Sequence, residues 1–352
     1  MTIKRIGFAC KFAEVNHKGE IVSVDGLNTG GTTLAWARRQ TRSVAEDKIL
    51  EVAQRNITNT HNLIKKVSTL DPSLRMLRLT SDMLSFYTHP EFLDFWKSSN
   101  NQKFLSDMFA PLGETARANN VRLSMHPDQF VVLASDREEV VTNSIREFEY
   151  LADMVRFMGY GKTFQDFKIN VHISGRQGPE GIRKTYTKLS PEARNCITIE
   201  NEEISWGLDD CLELVDLLPI VMDIHHHWIH TGEYIEHDND MVKKVIDSWR
   251  GVRSTMHYSV SREDVLVDHD RHIAPDHGTL IAAGHNKQKL RAHSDYYWNE
   301  AVNDWALTFY DNFDIMCESK AKNLASFKLY DTYLNKVKNN VRQTEELICE
   351  EA

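Results

Sequence analysis

Short apolar runs recur along the chain at intervals too long for hairpins, and a stretch with helical spacing follows each of them. The runs are residues 6–10, 76–80, 121–126, 168–173, 196–200, 220–223, 254–259 and 313–318. Each contains β-branched, Leu, Met or aromatic residues, often with polar residues interleaved, and reads as a strand. After the first run, Ile49, Leu50, Ala53, Ile57 and Ile64 recur at helical steps. They predict a helix opened by the capping box Ser43-Val44-Ala45-Glu46 and ending near Val67. Further helices are expected over 103–119, 136–158 with Asp136 as cap, 179–188, 209–217, 239–250, and from Ser319 to Asn339. Eight strands alternating with helices predict a parallel sheet, and closing eight strands gives an α/β fold of one (β/α)8 TIM barrel over residues 1–340. An open doubly wound sheet is the competing arrangement, but no G-x-G-x-x-G follows the first strand. Residues 17–33 read as a loop. Residues 260–292, charged and containing His and Gly, interrupt the alternation after the seventh strand and are expected on the face that carries the chemistry. Residues 341–352 read as an acidic, loosely docked tail.

Composition narrows this picture only a little. The chain of 352 residues is 41% hydrophobic and 26% charged, an ordinary globular balance. No apolar stretch is long enough to span a membrane, and the N-terminus turns polar too early for a signal peptide. Five cysteines without a C-x-x-C pair suggest a reduced, cytoplasmic protein. A net charge of −9 argues against polyanion binding by bulk charge, so any nucleic-acid contact needs a local basic face. Sixteen histidines slightly favour a metalloprotein.

The positions of those histidines change the picture far more. His126, His172, Glu200, Asp223 with His225 and His226, His257 and Glu318 stand at the carboxyl ends of six successive predicted strands. A barrel brings all those ends to one mouth whatever their separation in sequence. Buried carboxylates and imidazoles need partners or metal to offset desolvation. Mixed nitrogen and oxygen ligands without cysteine suit Mn²⁺, Zn²⁺ or Fe²⁺, and the number of ligands suits two or three ions. Such a cluster commonly serves phosphodiester hydrolysis, with paired ions activating water and stabilising the leaving oxygen. With fewer ions it also supports sugar isomerisation.

The stretches LTSDMLSFYTHPEF (79–92), LSMHPDQFVVL (123–133), NVHISG (170–175), TIEN (198–201), MDIHHH (222–227), MHYS (256–259), AHSDY (292–296) and ESKAK (318–322) together resemble the UV damage endonuclease family, in order and over nearly the whole chain. The resemblance implies a barrel similar to endonuclease IV and xylose isomerase, with a Mn²⁺ cluster in a DNA-binding groove. It implies a nick in double-stranded DNA immediately 5′ of cyclobutane dimers and (6-4) photoproducts, with some members also acting at abasic sites. The products would be a 3′-hydroxyl and a 5′-phosphate. By the same resemblance, His126, His172 and Glu200 would hold one ion. Glu200, Asp223, His257 and Glu318 would hold a second, with Glu200 bridging. His226, chosen over His225 by its spacing from Asp223, would serve a third ion with His293. His89 matches a histidine beside the scissile phosphate, and Gln129 and Phe130 match a Gln-Tyr pair that probes the helix at the lesion.

Two departures stand out. A family lysine that can be carboxylated to ligate the third ion corresponds to Thr255, so that site needs another ligand, with His272, Asp276 or His277 as substitutes. GFACKF also replaces GY-x-C-x-N, so Phe8 and Phe12 lack the hydroxyl and amide expected against the lesion. Lys4, Arg5, Lys11, Lys162, Arg176, Lys287, Lys289 and Arg291 are the candidates for a DNA groove. No obligate protein partner is expected. The competing functions are a sugar isomerase or epimerase, which would show a closed pocket without a protruding wedge, and an inert lesion-binding protein.

Overall fold

The computed structural model describes residues 3–350, so Met1, Thr2 and the last two residues of the acidic tail lie outside the described residues. Eight parallel strands close on themselves: β1 (Ile6–Ala9), β2 (Met76–Leu79), β3 (Arg122–Met125), β4 (Lys168–His172), β5 (Ile197–Glu200), β6 (Ile220–Asp223), β7 (Ser254–Tyr258) and β8 (Phe313–Cys317). Each pairs with its neighbours in sequence, and β1 closes the circle against both β2 and β8. A short hairpin, Ala13–Val15 with Ile21–Ser23, lies outside the barrel within the predicted loop region. Strands β1, β5, β6, β7 and β8 are buried along their whole length, polar residues such as Thr198, His257 and Asp314 included.

Helix ends differ from expectation for local reasons. The first long helix is Arg42–Ser68, capped by Thr41, whose side chain accepts from the Val44 N–H; Ser43 lies inside its first turn. The helix Glu138–Phe157 has no side-chain cap, and Asp136 instead faces Arg176 at 3.3 Å. The helix expected over 209–217 stops at Leu212 and continues as tight turns. The last helix runs Asn323–Glu350, so most of the acidic tail is a continuation of it rather than a frayed end.

The largest difference is at β6. The strand ends at Asp223, and the histidine triplet opens a separate helix, Ile224–Thr231, with the Asp223 side chain as its cap accepting from His226 N–H at 2.8 Å. One residue thus ends a strand and starts a helix, and the three histidines leave it in different directions.

The insertion after β7 folds back on itself. Ser261 and His293 meet in an antiparallel bridge, and two short helices, His277–Ala282 and Lys287–Leu290, lie between them. Its buried Leu266 and Leu290 pack with Trp228 and Ile229 of the histidine helix. The insertion therefore packs against the helix that follows β6.

Close packing around the barrel leaves little slack. At Gly113, in the helix Ser99–Ala118, a Cβ would fall 1.8 Å from the carbonyl oxygen of Met158. Gly113→Ala is expected to destabilise the fold by about 2 kcal/mol, because a backbone oxygen cannot step aside as a side chain can. Urea denaturation measures this, and a loss within ordinary surface scatter would count against the packing described here.

Candidate metal centre

The mouth of the barrel gathers the predicted ligands into two overlapping groups. Ligand atoms of His126, His172 and Glu200 lie within 4.8 Å of one another, and so do those of Glu200, Asp223, His257 and Glu318. Glu200 belongs to both. Its Oε1 lies 3.0 Å from His257 Nδ1, and its Oε2 lies 3.6 Å from His126 Nε2. Glu318 Oε1 lies 3.3 Å from the same His257 nitrogen.

The side chains are held for this purpose from behind. His126 Nδ1 donates to the Pro127 carbonyl at 2.7 Å, leaving Nε2 facing Glu200. Asn170 donates to Glu200 and in turn accepts from Thr198 at 2.7 Å. Asn201 brackets the backbone of Asp223, accepting from its N–H at 2.9 Å and donating to its carbonyl at 3.0 Å. Arg78 of β2, partly buried, donates to Glu318. Lys168, the first residue of β4, reaches its amine to within 3.2 Å of His257 Nε2. Sequence reading assigned no role to these five supporting residues, although Asn170, Thr198 and Asn201 stand within NVHISG and TIEN beside the ligands His172 and Glu200; Arg78 and Lys168 carried no such signal.

The electrostatics fit a cation. Burial pushes Asp223 up to about 8, opposed by His226 and reinforced by Glu200 and Glu318. Burial pulls His172 down to about 4, so its imidazole is neutral and free to ligate. Burial also lowers Lys168 to about 7. Glu200 Oε1, Asp223 Oδ2 and His257 Nδ1 are buried without any hydrogen-bond partner, and all three belong to the same donor group. Unpaired buried polar atoms are costly, and a divalent ion would satisfy these three at once. Harder oxygen and borderline nitrogen donors, with no sulfur, suit Mn²⁺ and similar ions.

The histidine triplet divides as its helix dictates. His226 lines the cavity over the cluster, donates Nδ1–H to the Asn201 carbonyl at 3.0 Å and leaves Nε2 3.8 Å from Glu203 Oε2. His225 is stacked on Trp228, with Nε2 3.2 Å from the Leu290 carbonyl, away from the mouth. Of the two, only His226 lines the cavity over the cluster. His293 lines the same cavity of about 450 Å³, yet among the described residues neither His226 nor His293 joins a third group of donors. Thr255 is fully buried with its hydroxyl unpartnered. The substitutes suggested for it do not reach the mouth: His272 faces Glu300, Asp276 caps the helix His277–Ala282, and His277 packs edge-on to Trp228.

The loop 127–131 divides this cavity from a second groove of about 590 Å³. Pro127, Asp128 and Val131 line both, Gln129 lines the metal side, and His89 and Phe130 line the other. Phe130 is 76% exposed, a projecting aromatic rather than a core residue. His89 Nδ1 accepts from the Glu91 N–H at 3.2 Å and belongs to the groove, outside both donor groups. Gly175, whose φ of +107° only glycine adopts freely, lets the loop after β4 pass within contact of Ala134, and Arg176 follows it, exposed.

Two expectations are corrected here. Phe8 has no exposed surface; its ring meets Phe12 and Phe327 edge-on in the core, so it cannot touch a lesion. Lys4, Arg5 and Lys162 precede β1 and β4 and so lie at the opposite end of parallel strands, where Lys4 pairs with Asp311 and Arg5 with Asp314. Lys11, Arg176, Lys287, Lys289 and Arg291 follow strands and remain on the mouth side, Arg291 pairing with Glu203.

The profile of the UV-endonuclease UvdE family matches residues 4–347. A UV-damage endonuclease of Schizosaccharomyces pombe is 27% identical over 305 residues, covering 83% of this chain and 46% of that protein. A UV DNA damage endonuclease of Bacillus cereus is 24% identical over 331 residues, 91% of this chain and 93% of that protein. The chain thus spans under half of the fungal relative and nearly all of the bacterial one. The crystal structure of SacUVDE aligns with a TM-score of 0.70 at 25% identity, covering 95% of this chain and 99% of that one.

Proposed function

Because the chain belongs to the UV-endonuclease UvdE family, we propose that it is a metal-dependent DNA repair endonuclease. It nicks double-stranded DNA immediately 5′ of UV photoproducts, leaving a 3′-hydroxyl and a 5′-phosphate, with abasic sites as further substrates. The observation that carries this reading is the pair of donor groups sharing Glu200 at the barrel mouth. When bound there, divalent ions, Mn²⁺ first among them, supply an activated water and neutralise charge on the phosphodiester. His126, His172 and Glu200 would hold one ion, and Glu200, Asp223, His257 and Glu318 the other. His226 and His293 would turn their rings toward the phosphate side of the cavity.

The remaining residues bind and orient DNA. Gln129 and Phe130 form a projecting amide and aromatic that enter the stack where a dimer has already weakened it. A sugar isomerase would have no use for an aromatic 76% exposed beside its site. His89 lines the neighbouring groove beside Phe130 and would stabilise phosphate charge there. Arg176 and the lysines of the insertion contact the backbone. Among the described residues no helix is long and apolar enough to cross a membrane, and we place the enzyme with DNA in the cytoplasm.

Supercoiled plasmid, irradiated or not, is incubated with the protein and Mn²⁺ or EDTA, and nicked circles are counted. The expected result is Mn²⁺-dependent nicking confined to irradiated plasmid; equal nicking of both plasmids would overturn the lesion-directed reading. Tight binding without nicking would favour an inert lesion binder. Replacing Gln129 and Phe130 together by Ala is expected to cut the preference for irradiated plasmid about tenfold or more, since aromatic stacking is worth roughly 1–3 kcal/mol per base. Mn²⁺ binding should not change in that variant.

A further inference from the structure

We propose that the barrel mouth is built for two divalent ions and no third, and that the guanidinium of Arg291 supplies the further positive charge that meets the phosphodiester. The inference rests on the metal-dependent nuclease reading above and deepens it.

His226 and His293 line the cavity above the two donor groups, yet neither belongs to a third group among the described residues. Thr255 offers only a neutral, fully buried hydroxyl. The carboxylate facing His226 Nε2 is that of Glu203, at 3.8 Å. Glu203 is itself buried, and its other oxygen already accepts from Arg291 Nη1. An ion between His226 and Glu203 would find one imidazole nitrogen and one carboxylate oxygen, with a guanidinium bonded to the same carboxylate. Divalent ions held by such donors ordinarily take three or more protein ligands, and like charges a few ångströms apart repel. The position is already held by a cation.

Arg291 is fixed from both sides along the chain. It follows the short helix Lys287–Leu290, whose last residue is fully buried. The Leu290 carbonyl accepts from Ser261 Oγ at 2.6 Å and lies 3.2 Å from His225 Nε2. The Ala292 carbonyl accepts from the Arg262 N–H at 3.1 Å, and His293 bridges Ser261. With Glu203 holding its head group, the guanidinium keeps its place before DNA arrives. Among the described residues that line the cavity it is the one Arg or Lys, while Asp128, Glu202 and Glu318 add carboxylates to the same walls. Its side chain is partly exposed, and only Nη1 is bonded among the described residues, so its remaining N–H groups are open to phosphate oxygens. A donor set in advance beside developing negative charge costs no reorganisation during reaction.

Counting ions tests the first half without DNA. The full chain, stripped with chelator, is titrated with Mn²⁺ while the free ion is followed by electron paramagnetic resonance. The expected count is a pair of ions per chain. A third ion would overturn the proposal and leave the nuclease reading standing; a lone ion or none would overturn the paired-ion reading and this inference together. The second half is read in the kinetics of nicking irradiated plasmid, with thermal melting as control for folding. Arg291→Gln is expected to lower kcat about a hundredfold, and Arg291→Lys, which keeps the charge, to recover about tenfold of that loss. A kcat within about threefold of the parent in Arg291→Gln, whether or not KM rises, would make Arg291 a groove contact or a staple of the insertion and overturn its assignment. No nicking by the parent chain would overturn the nuclease reading and the role of Arg291 with it, whatever the ion count.

Discussion

Glu200→Gln is expected to abolish nicking of irradiated plasmid, by at least roughly a thousandfold, or about 4 kcal/mol of transition-state stabilisation. Glu200 alone belongs to both donor groups, so the amide removes one negative charge from two ion sites at once. The substitution is nearly isosteric, and the carboxylate is wholly buried with its Oε1 unpartnered. The side chain keeps its Asn170 contact only if the amide turns its oxygen toward that donor, which leaves the NH2 group facing His257 Nδ1. That places a donor where an ion should be. The fold itself should survive, because removing charge from a buried carboxylate relieves desolvation. Activity within tenfold of the unsubstituted protein, with Mn²⁺ still bound, would sink the bridging role. A variant that melts far below the parent would mean instead that Glu200 is held by the fold rather than reserved for metal.

That six-residue cluster was legible in the sequence because of topology. A closed parallel barrel makes distance along the chain irrelevant, so His126 and Glu318 could be placed together from strand ends alone. The strands themselves were marked by their β-branched, Leu and Met residues and by the helical stretches between them. Other features carry no one-dimensional mark. Arg5 and Arg176 look alike in sequence, but one precedes a strand and the other follows one, and so they lie at opposite ends of the barrel. Asp223 reads as a strand-end ligand, yet it also caps a helix, and that second role turns His225 and His226 apart. Phe8 was placed against DNA by motif position, whereas in β1 its ring is packed toward the final helix. Lys168 opens a strand, and nothing in the sequence marks its side chain as reaching inward to His257. Arg78 was hidden in the same way, inside an otherwise apolar run.

The second large effect lies at the opposite end of the barrel. Asp314, second in β8, has no exposed surface and three arginines converge on it. It accepts from Arg122 at 2.7 Å, from Arg253 Nε at 2.6 Å and from the backbone N–H of Arg5 at 2.8 Å, with the Arg5 guanidinium 3.5 Å away. These residues stand at the entries to β1, β3 and β7, so a single carboxylate ties four strands. Replacing it by Ala would leave three arginines facing one another with no anion between them. Removing one partner from a buried ion pair costs about 3–5 kcal/mol, and Asp314→Ala is expected at the upper end of that range. Asp314→Asn should lose less, because its amide oxygen can still accept from one arginine. By contrast Asp107→Ala, which breaks the exposed pair with Lys103, should change stability by roughly 0.5 kcal/mol or less. Urea denaturation of the three variants ranks them directly. A loss near that of the surface pair would show that the arginines are held by their carbonyl contacts alone, as Arg253 also donates to the carbonyls of Tyr310, Asp311 and Phe313. Mn²⁺ affinity of folded Asp314→Asn should match the parent, since the network and the metal centre stand at opposite ends of the same strands.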